Sequence, residues 1–347
     1  MNDSKPLIYD LNHEALRTWF EDHGEPTFRV DQVWTALYQT LRPSPEKITT
    51  LPKGLRKRLT ESYSFDALTP VRAVESQDRQ TVKTLFRLRD GNLIEAVLMY
   101  YEDRRTLCIS SQSGCGIGCS FCATGQMGFR RNLSSGEIIA QVLYYARILN
   151  QDDERVTNIV MMGMGEPFQN CQNLMEALDR LNNPDAMNMG ARRITISTVG
   201  LAPKIRQFAD ENTQYNLAIS LHTVDDELRT KLIPINKRYP VNSLLEACRY
   251  YVQKTHRRVT FEYALIQGVN DATDDAKALA EKLDDLLCHV NLIPLNPTVG
   301  FSELPSSSEQ ADAFCRVLDE YHIPCTIRMR RGIEIQAGCG QLATENN

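Results

Sequence analysis

Short apolar runs alternate with longer segments of helical periodicity through most of the chain. "TLCISS", "VTNIVMM", "RITISTV", "YNLAISLH", "RVTFEYALI" and "HVNLIPLN" have the length and β-branched content of strands. Between them, "SGEIIAQVLYYARIL", "CQNLMEALDRL", "LAPKIRQFA", "DDELRTKLI", "VNSLLEACRYYVQK" and "DDAKALAEKLDDLL" repeat apolar residues at three- and four-residue spacing, the pattern of a helix with one buried face. Ser134 with Glu137 makes a capping box at the start of the first of these helices. Near-continuous apolar strands are buried on both faces, so six β/α repeats predict an α/β fold: a parallel sheet covered by helices, doubly wound or curled into a barrel. A last helix over about residues 308–321 and a strand-like "CTIRM" complete the pattern.

Upstream the pattern differs. "HEALRTWFEDHG" and "DQVWTALYQTL" have helical spacing, with Leu16, Phe20, Val33, Ala36, Leu37 and Leu41 on apolar faces and Gly24 and Pro43 closing them. A basic segment, "PKGLRKRLTESY", follows. "TLFRLRDGNLIEAVLMYY" is two strand-like runs around Asp90-Gly91, a hairpin signal. Three regions are therefore expected: a helical unit over residues 1–70, a β-hairpin extension over 71–104, and an α/β core with a C-terminal extension over 105–347.

Composition narrows the class. The 347 residues, 42% apolar and 24% charged, are those of an ordinary globular protein. No basic, apolar-cored leader opens the chain and no run approaches a membrane span, so a soluble cytoplasmic protein is expected. There ten cysteines are not expected to form a disulfide framework. The net charge of −5 does not itself point to nucleic acid, but the basic residues are clumped: "KGLRKR" (Lys53 to Arg58), Arg130–Arg131, Arg192–Arg193, Lys237–Arg238, Arg257–Arg258 and "RMRR" (Arg328 to Arg331). A single pair of this kind is ordinarily a solvated face; several could line one groove.

The densest chemistry lies in "GCGIGCSFCATGQMGF", where Cys115, Cys119 and Cys122 follow the first strand of the repeats. Parallel α/β folds place their chemistry at that end of their strands. Structural zinc usually takes four protein ligands, and no fourth lies close by. Three thiolates suit a four-iron four-sulfur cluster that leaves one iron open, with Phe121 to shield it. Glu95, in "LIEAVLMY", shares its alternating face with Leu93, Val97 and Met99; a carboxylate so placed meets a partner, sits at a site, or lies on an edge strand in solvent.

C-x3-C-x2-C at the end of the first strand of such a unit resembles the signature of radical S-adenosylmethionine (SAM) enzymes, which implies a partial (β/α)6 barrel, a 4Fe-4S cluster on the three cysteines and SAM at the open iron. The resemblance goes further. "CISSQSGCGIGCSFCATGQMGFRRNL", "MMGMGEP", "ISTVG", "ISLH", "IPIN", "NLIPLNP" and "AGCGQL" are similar to the RlmN/Cfr family of RNA adenosine methyltransferases over nearly the whole chain. Carbons 2 and 8 of adenine are electron-poor and carry no lone pair, so a radical route replaces direct polar methylation.

The resemblance implies roles residue by residue. Cys339 would take a methyl group from one SAM; the radical from a second would abstract hydrogen from that methyl, which then adds to the adenine. Cys108 would attack Cys339 to form a disulfide and free the methylated base. Glu95 would accept the proton from the adduct carbon. Gly165 and Glu166 would hold the methionine amino group of SAM, with Ser197, Ser220, Leu221, His222 and Asn296 as further contacts at strand ends. Met162 would pack by the reactive cysteines. Cys171, Cys248, Cys288, Cys315 and Cys325 have no assigned role.

The implied partners are 23S ribosomal RNA and tRNA, a flavodoxin- or ferredoxin-like electron donor and a thiol reductant; a monomer is expected. The RNA would give up its adenine from the stack, with the helical unit and "KGLRKR" positioning it. The wording "CISSQ", "MGEPFQN" and "IPIN" favours carbon 2, as in RlmN, over the carbon 8 methylation of Cfr-like members, which confers antibiotic resistance. Gly338 stands where the family pattern has Ala, a small-for-small exchange. A non-RNA radical SAM enzyme would keep the triplet and "GEP" without needing Cys108, Glu95 or the "CGQL" tail, and a zinc-stabilised RNA-binding module would hold no iron.

Overall fold

The computed structural model describes residues 5–328 and 331–343, so Met329 and Arg330 of the last basic cluster lie outside the described residues. Among the described residues the chain forms twelve strands. A meander of β1 (Leu68–Glu75), β2 (Thr81–Leu88) and β3 (Leu93–Tyr100) leads antiparallel into β4 (Arg105–Cys108). A small hairpin of β5 (Gln112–Gly114) and β6 (Phe129–Asn132) follows. The chain then alternates helices with β7 (Asn158–Met161), β8 (Ile194–Thr198), β9 (Asn216–Ser220), β10 (Val259–Leu265), β11 (Cys288–Pro294) and β12 (Cys325–Ile327). One sheet runs β1-β2-β3-β4-β7-β8-β9-β10-β11-β12, parallel from β4 onward.

Side chains from β7, β8, β9, β10 and β11 line a single cavity, which a flat sheet would spread apart. The sheet is therefore curled around that space, and helices such as Ser135–Leu149, Cys171–Asn182 and Val241–Thr255 cover its outer face. The strands are buried because their outward Ile, Val and Leu residues meet the apolar stripes of these helices. The capping box forms as expected: Glu137 N donates to Ser134 Oγ at 3.2 Å, and Ser134 N donates to the Glu137 carboxylate at 2.9 Å. Arg131 ties that carboxylate, at 2.7 Å, to Asp90 in the β2–β3 turn, so this arginine is structural.

The expected helices and strands of the repeats are present, with differences upstream. "KGLRKRLTES" is a helix, Lys53–Ser62, whose Leu55 and Leu59 are buried. A further strand, β1, precedes the hairpin, so a boundary at residue 70 falls inside it. Its residues are mostly exposed and include Pro70, so it lacks the alternation that marks a half-buried strand. Glu95 is not in solvent: β3 runs between β2 and β4, and the residue is 4% exposed.

The helical unit shares one continuous core with the sheet. Its seam is polar and specific. Asp10 Oδ1 accepts from Gly136 N at 2.8 Å, capping the helix Ser135–Leu149 from outside. Arg147 donates to the Leu41 carbonyl and the Tyr9 hydroxyl, each at 3.0 Å, and buried Arg180 reaches the carbonyls of Tyr9 and Leu11. Gly136 is required for this approach, since a Cβ there would stand 2.7 Å from the Tyr9 carbonyl carbon. Gly136→Ala is expected to destabilise the protein by about 1–3 kcal/mol, the usual cost of overpacking, read as a lowered denaturation midpoint.

Candidate active site

The barrel cavity, about 150 Å³, opens at the C-terminal ends of the strands. Cys115, Cys119 and Cys122 form one wall, and Gly165, Glu166, Ser197, Ser220, His222, Asn296 and Cys339 line the rest. The curled sheet thus brings together side chains from almost the full length of the core. Leu221 is the exception among the expected contacts: its side chain is fully buried in the main core, and its carbonyl accepts from Arg229 Nε at 3.1 Å.

Burial holds the three thiols protonated. It pushes Cys115 up to about 12 and raises Cys119 and Cys122, and the negative charges that Cys115 and Cys122 would carry raise Cys119 further. Among the described residues, no three His, Cys, Asp or Glu side chains gather tightly enough for a single ion. Three thiols on one wall of a shared cavity, with Cys115 and Cys119 each raised by the charge of Cys122, fit a cluster whose ligands sit on separate irons. Binding would release protons as the thiols become thiolates.

The opposite wall fits a polar cofactor. Glu166 is 2% exposed and accepts from Phe168 N at 3.0 Å and Val199 N at 2.9 Å. Burial outweighs these bonds and pushes its pKa up to about 7, so an added ammonium would restore the carboxylate's charge. Gly165, at φ +104°, delivers Glu166 by packing against Gln112, whose Cβ a side chain would meet at 2.5 Å. Asn296 Oδ1 is buried without a hydrogen-bond partner and is available to a donor. His222 accepts from Ala264 N at Nδ1, 2.8 Å; burial pushes its pKa down to about 3, so the ring is neutral with its hydrogen on Nε2.

Cys339 lies on a strap across the cavity mouth. Asn296 Nδ2 donates to the Cys339 carbonyl at 3.1 Å, Ala123 N to the Gly340 carbonyl at 2.7 Å, and Thr124 Oγ1 to the Leu342 carbonyl at 2.6 Å. Ala343 N donates to Glu95 Oε2 at 3.0 Å, while Lys83 pairs with Glu95 Oε1 at 3.0 Å. Glu95 therefore anchors the strap and does not line the main cavity. Gly338 is not a neutral exchange here: a Cβ would stand 2.7 Å from Asn296 Nδ2, the atom that holds Cys339.

A second, smaller cavity of about 60 Å³ is lined by Cys339 together with Cys108, Met162 and Asn296. Cys339 is exposed as a residue, while its thiol is desolvated between the two spaces it lines. Burial raises its thiol, with Arg328 opposing and Glu262 adding to the rise. Burial holds the Cys108 thiol protonated, and the charge of Cys339 adds to that effect.

Sequence reasoning missed Lys83, Glu262 and Arg328. Glu262 carried the same signal as Glu95, a carboxylate in a strand of apolar residues, and Arg328 was grouped with solvated charge. In the fold the two pair at 3.6 Å inside the barrel.

Comparison with known proteins bears on the family and the fold. The Radical SAM superfamily model matches residues 109–281, and the ribosomal RNA large subunit methyltransferase N-terminal domain matches residues 8–64. A protein of Chloroflexus aurantiacus assigned as a dual-specificity RNA methyltransferase RlmN is 47% identical, covering 97% of this chain and 92% of its own. One of the same description from Geobacillus kaustophilus is 48% identical, with the same coverage. The crystal structure of a radical SAM methyltransferase from Sphaerobacter thermophilus superposes with a TM-score of 0.96 at 49% identity, covering 98% of this chain and all of that one.

The strap makes Cys339 testable without a cofactor. Thr124→Val removes the buried bond to Leu342 and is expected to speed alkylation of Cys339 by iodoacetamide several-fold, followed by peptide mass spectrometry; Cys108 should not change in parallel.

Proposed function

The chain belongs to the RlmN family of radical SAM RNA methyltransferases, and from that premise we propose that it makes 2-methyladenosine in 23S ribosomal RNA at the peptidyl-transferase centre and in tRNA beside the anticodon. The observation that carries the reading is the position of Cys339, on the cavity of the cysteine triplet and on that of Cys108 at once. An enzyme without a cysteine carrier would have no use for that arrangement.

Cys115, Cys119 and Cys122 would hold a 4Fe-4S cluster, leaving one iron for SAM. Glu166 would meet the ammonium of SAM, with Gly165, Ser197, Ser220, His222 and Asn296 around it. When bound, these groups supply a 5′-deoxyadenosyl radical that removes hydrogen from an S-methyl group.

Everything else falls to the chain. Cys339 accepts the methyl group from a first SAM as a thiolate, and the Arg328 guanidinium favours that charged form. After the methylene carbon has bonded to the adenine, the adduct must lose one electron, which the bound cluster would take back, and Glu95 takes the proton from the adduct carbon; the same carboxylate holds Ala343, so proton transfer and strap position are linked. Cys108 then gives up its proton and attacks the Cys339 sulfur, the sulfur–carbon bond breaks with its electron pair on carbon, which takes up a proton to become the methyl group, and a disulfide is left for an external thiol to reduce. Its raised pKa keeps Cys108 inert until that step. A flavodoxin- or ferredoxin-like protein is the proposed electron donor, two molecules of SAM are used in each turnover, and the helical unit of residues 1–70 helps to position the RNA through exposed Lys53 and Lys57.

The test is nucleoside mass spectrometry of 23S rRNA fragments and tRNA incubated with anaerobically reconstituted enzyme, SAM and reductant. 2-Methyladenosine in both RNAs is expected. 8-Methyladenosine would move the enzyme to the Cfr-like chemistry, and SAM cleavage without methylated RNA would contradict the reading.

A further inference from the structure

The interior of the barrel has two ends. Parallel strands send every second side chain inward. Along β10, Thr260, Glu262 and Ala264 face the interior: Ala264 lines the cavity with the cysteine triplet, Thr260 lines a larger space at the strands' N-terminal ends, and Glu262 lines both. That lower chamber is about 1030 Å³, several times the upper cavity and large enough for a nucleotide. Thr195, Asn216 and His289 line it at the beginnings of β8, β9 and β11.

Its charge reverses that of the protein. In a chain of net charge −5, the chamber is lined by Arg104, Arg257, Arg258, Arg328 and Arg331, and Glu262 is the one carboxylate among its lining residues. Glu262 is already paired with Arg328. Among the described residues, Arg104, Arg257, Arg258 and Arg331 form no salt bridge, whereas Arg58, Arg105, Arg131 and Arg249 are each paired with a carboxylate. The Nε atoms of Arg257 and Arg331 are buried without an acceptor. Guanidinium groups held together without counter-charge favour a polyanion.

The chamber also leads to the reactive thiols. Tyr101, Met162, Arg328 and Arg331 line both it and the small cavity of Cys108 and Cys339. Tyr101 marks the join, with Arg331 over its ring at 4.4 Å and Arg104 at 4.7 Å. A base entering here would reach Cys339 without crossing the space assigned to SAM.

Resting on the RNA methyltransferase reading above, we propose that the substrate RNA docks over the lower chamber, its phosphates on Arg104, Arg257, Arg258 and Arg331, and that the target adenine enters past Tyr101 to Cys339. Phosphate contacts fix the position of an RNA without reading its sequence, which suits one enzyme acting on two unlike RNAs. An acidic electron-transfer protein could cover the rim, but nothing on its surface has to enter the chamber.

The test uses reconstituted enzyme with an rRNA fragment and a tRNA. Arg257→Ala/Arg258→Ala is expected to weaken binding of both RNAs roughly alike and to lower the slope of log affinity against log salt by about 1 per arginine. Methyl loading of Cys339, read as intact protein mass after incubation with SAM and reductant without RNA, should match the parent. A Lys277→Ala/Lys282→Ala control on an outer helix should leave the slope unchanged. Unchanged RNA affinity and slope in the arginine variant would overturn the proposal. Slower reduction by flavodoxin with RNA binding intact would overturn it too, assigning the face to the electron donor. A parent that binds and methylates neither RNA would remove the underlying reading instead.

Discussion

The site depends on a few hydrogen bonds that hold a short, irregular tail across the mouth of the barrel. Residues 338–343 form a turn but no helix or strand, yet Cys339 has to stand at one place between two cavities. The backbone carbonyls of Cys339, Gly340 and Leu342 are each taken by a donor from the cluster loop or from Asn296, and the Ala343 N–H by Glu95. Buried hydrogen bonds of this kind contribute about 1 kcal/mol each but cost more than that when one partner is lost, so they specify position more than they add stability. Asn296 links the two requirements, since one side-chain atom holds Cys339 and the other is left for a ligand.

Burial is the second constraint. The cavity is apolar enough to raise every thiol in it and to bring Glu166 to about 7, while it leaves His222 neutral. In such surroundings a bound cluster and an ammonium count for more than they would in water, because the charges they meet have already lost their solvent. The same effect keeps Cys108 protonated and Cys339 close to neutrality except where Arg328 opposes it.

The parts of this arrangement that were legible in the sequence are those with a period or a spacing. The strands of the barrel, their helices and the capping box at Ser134 follow from apolar runs and local chemistry, and the triplet and "GEP" stand at strand ends because the repeats put them there. What was hidden depends on long-range contacts. β1 is an exposed strand with a proline; β5 is three small or polar residues held because Gly114 packs against the Gly128 carbonyl. Glu95 was recognisable as a carboxylate out of place, but its partners, Lys83 and Ala343, lie 12 and 248 residues away. Arg257, Arg258 and Arg331 looked like solvated pairs, and only the curl of the sheet places them around one chamber.

The central claim is that Cys339 carries the methyl group and Cys108 releases it. Its most direct measurement is the fate of RNA incubated with the reconstituted Cys108→Ala enzyme, SAM and reductant under denaturing electrophoresis and peptide mass spectrometry. The account predicts a covalent protein–RNA species joined through Cys339, because the adduct forms and nothing cleaves it. Release of free methylated RNA at the parent rate, with no such species, would contradict it.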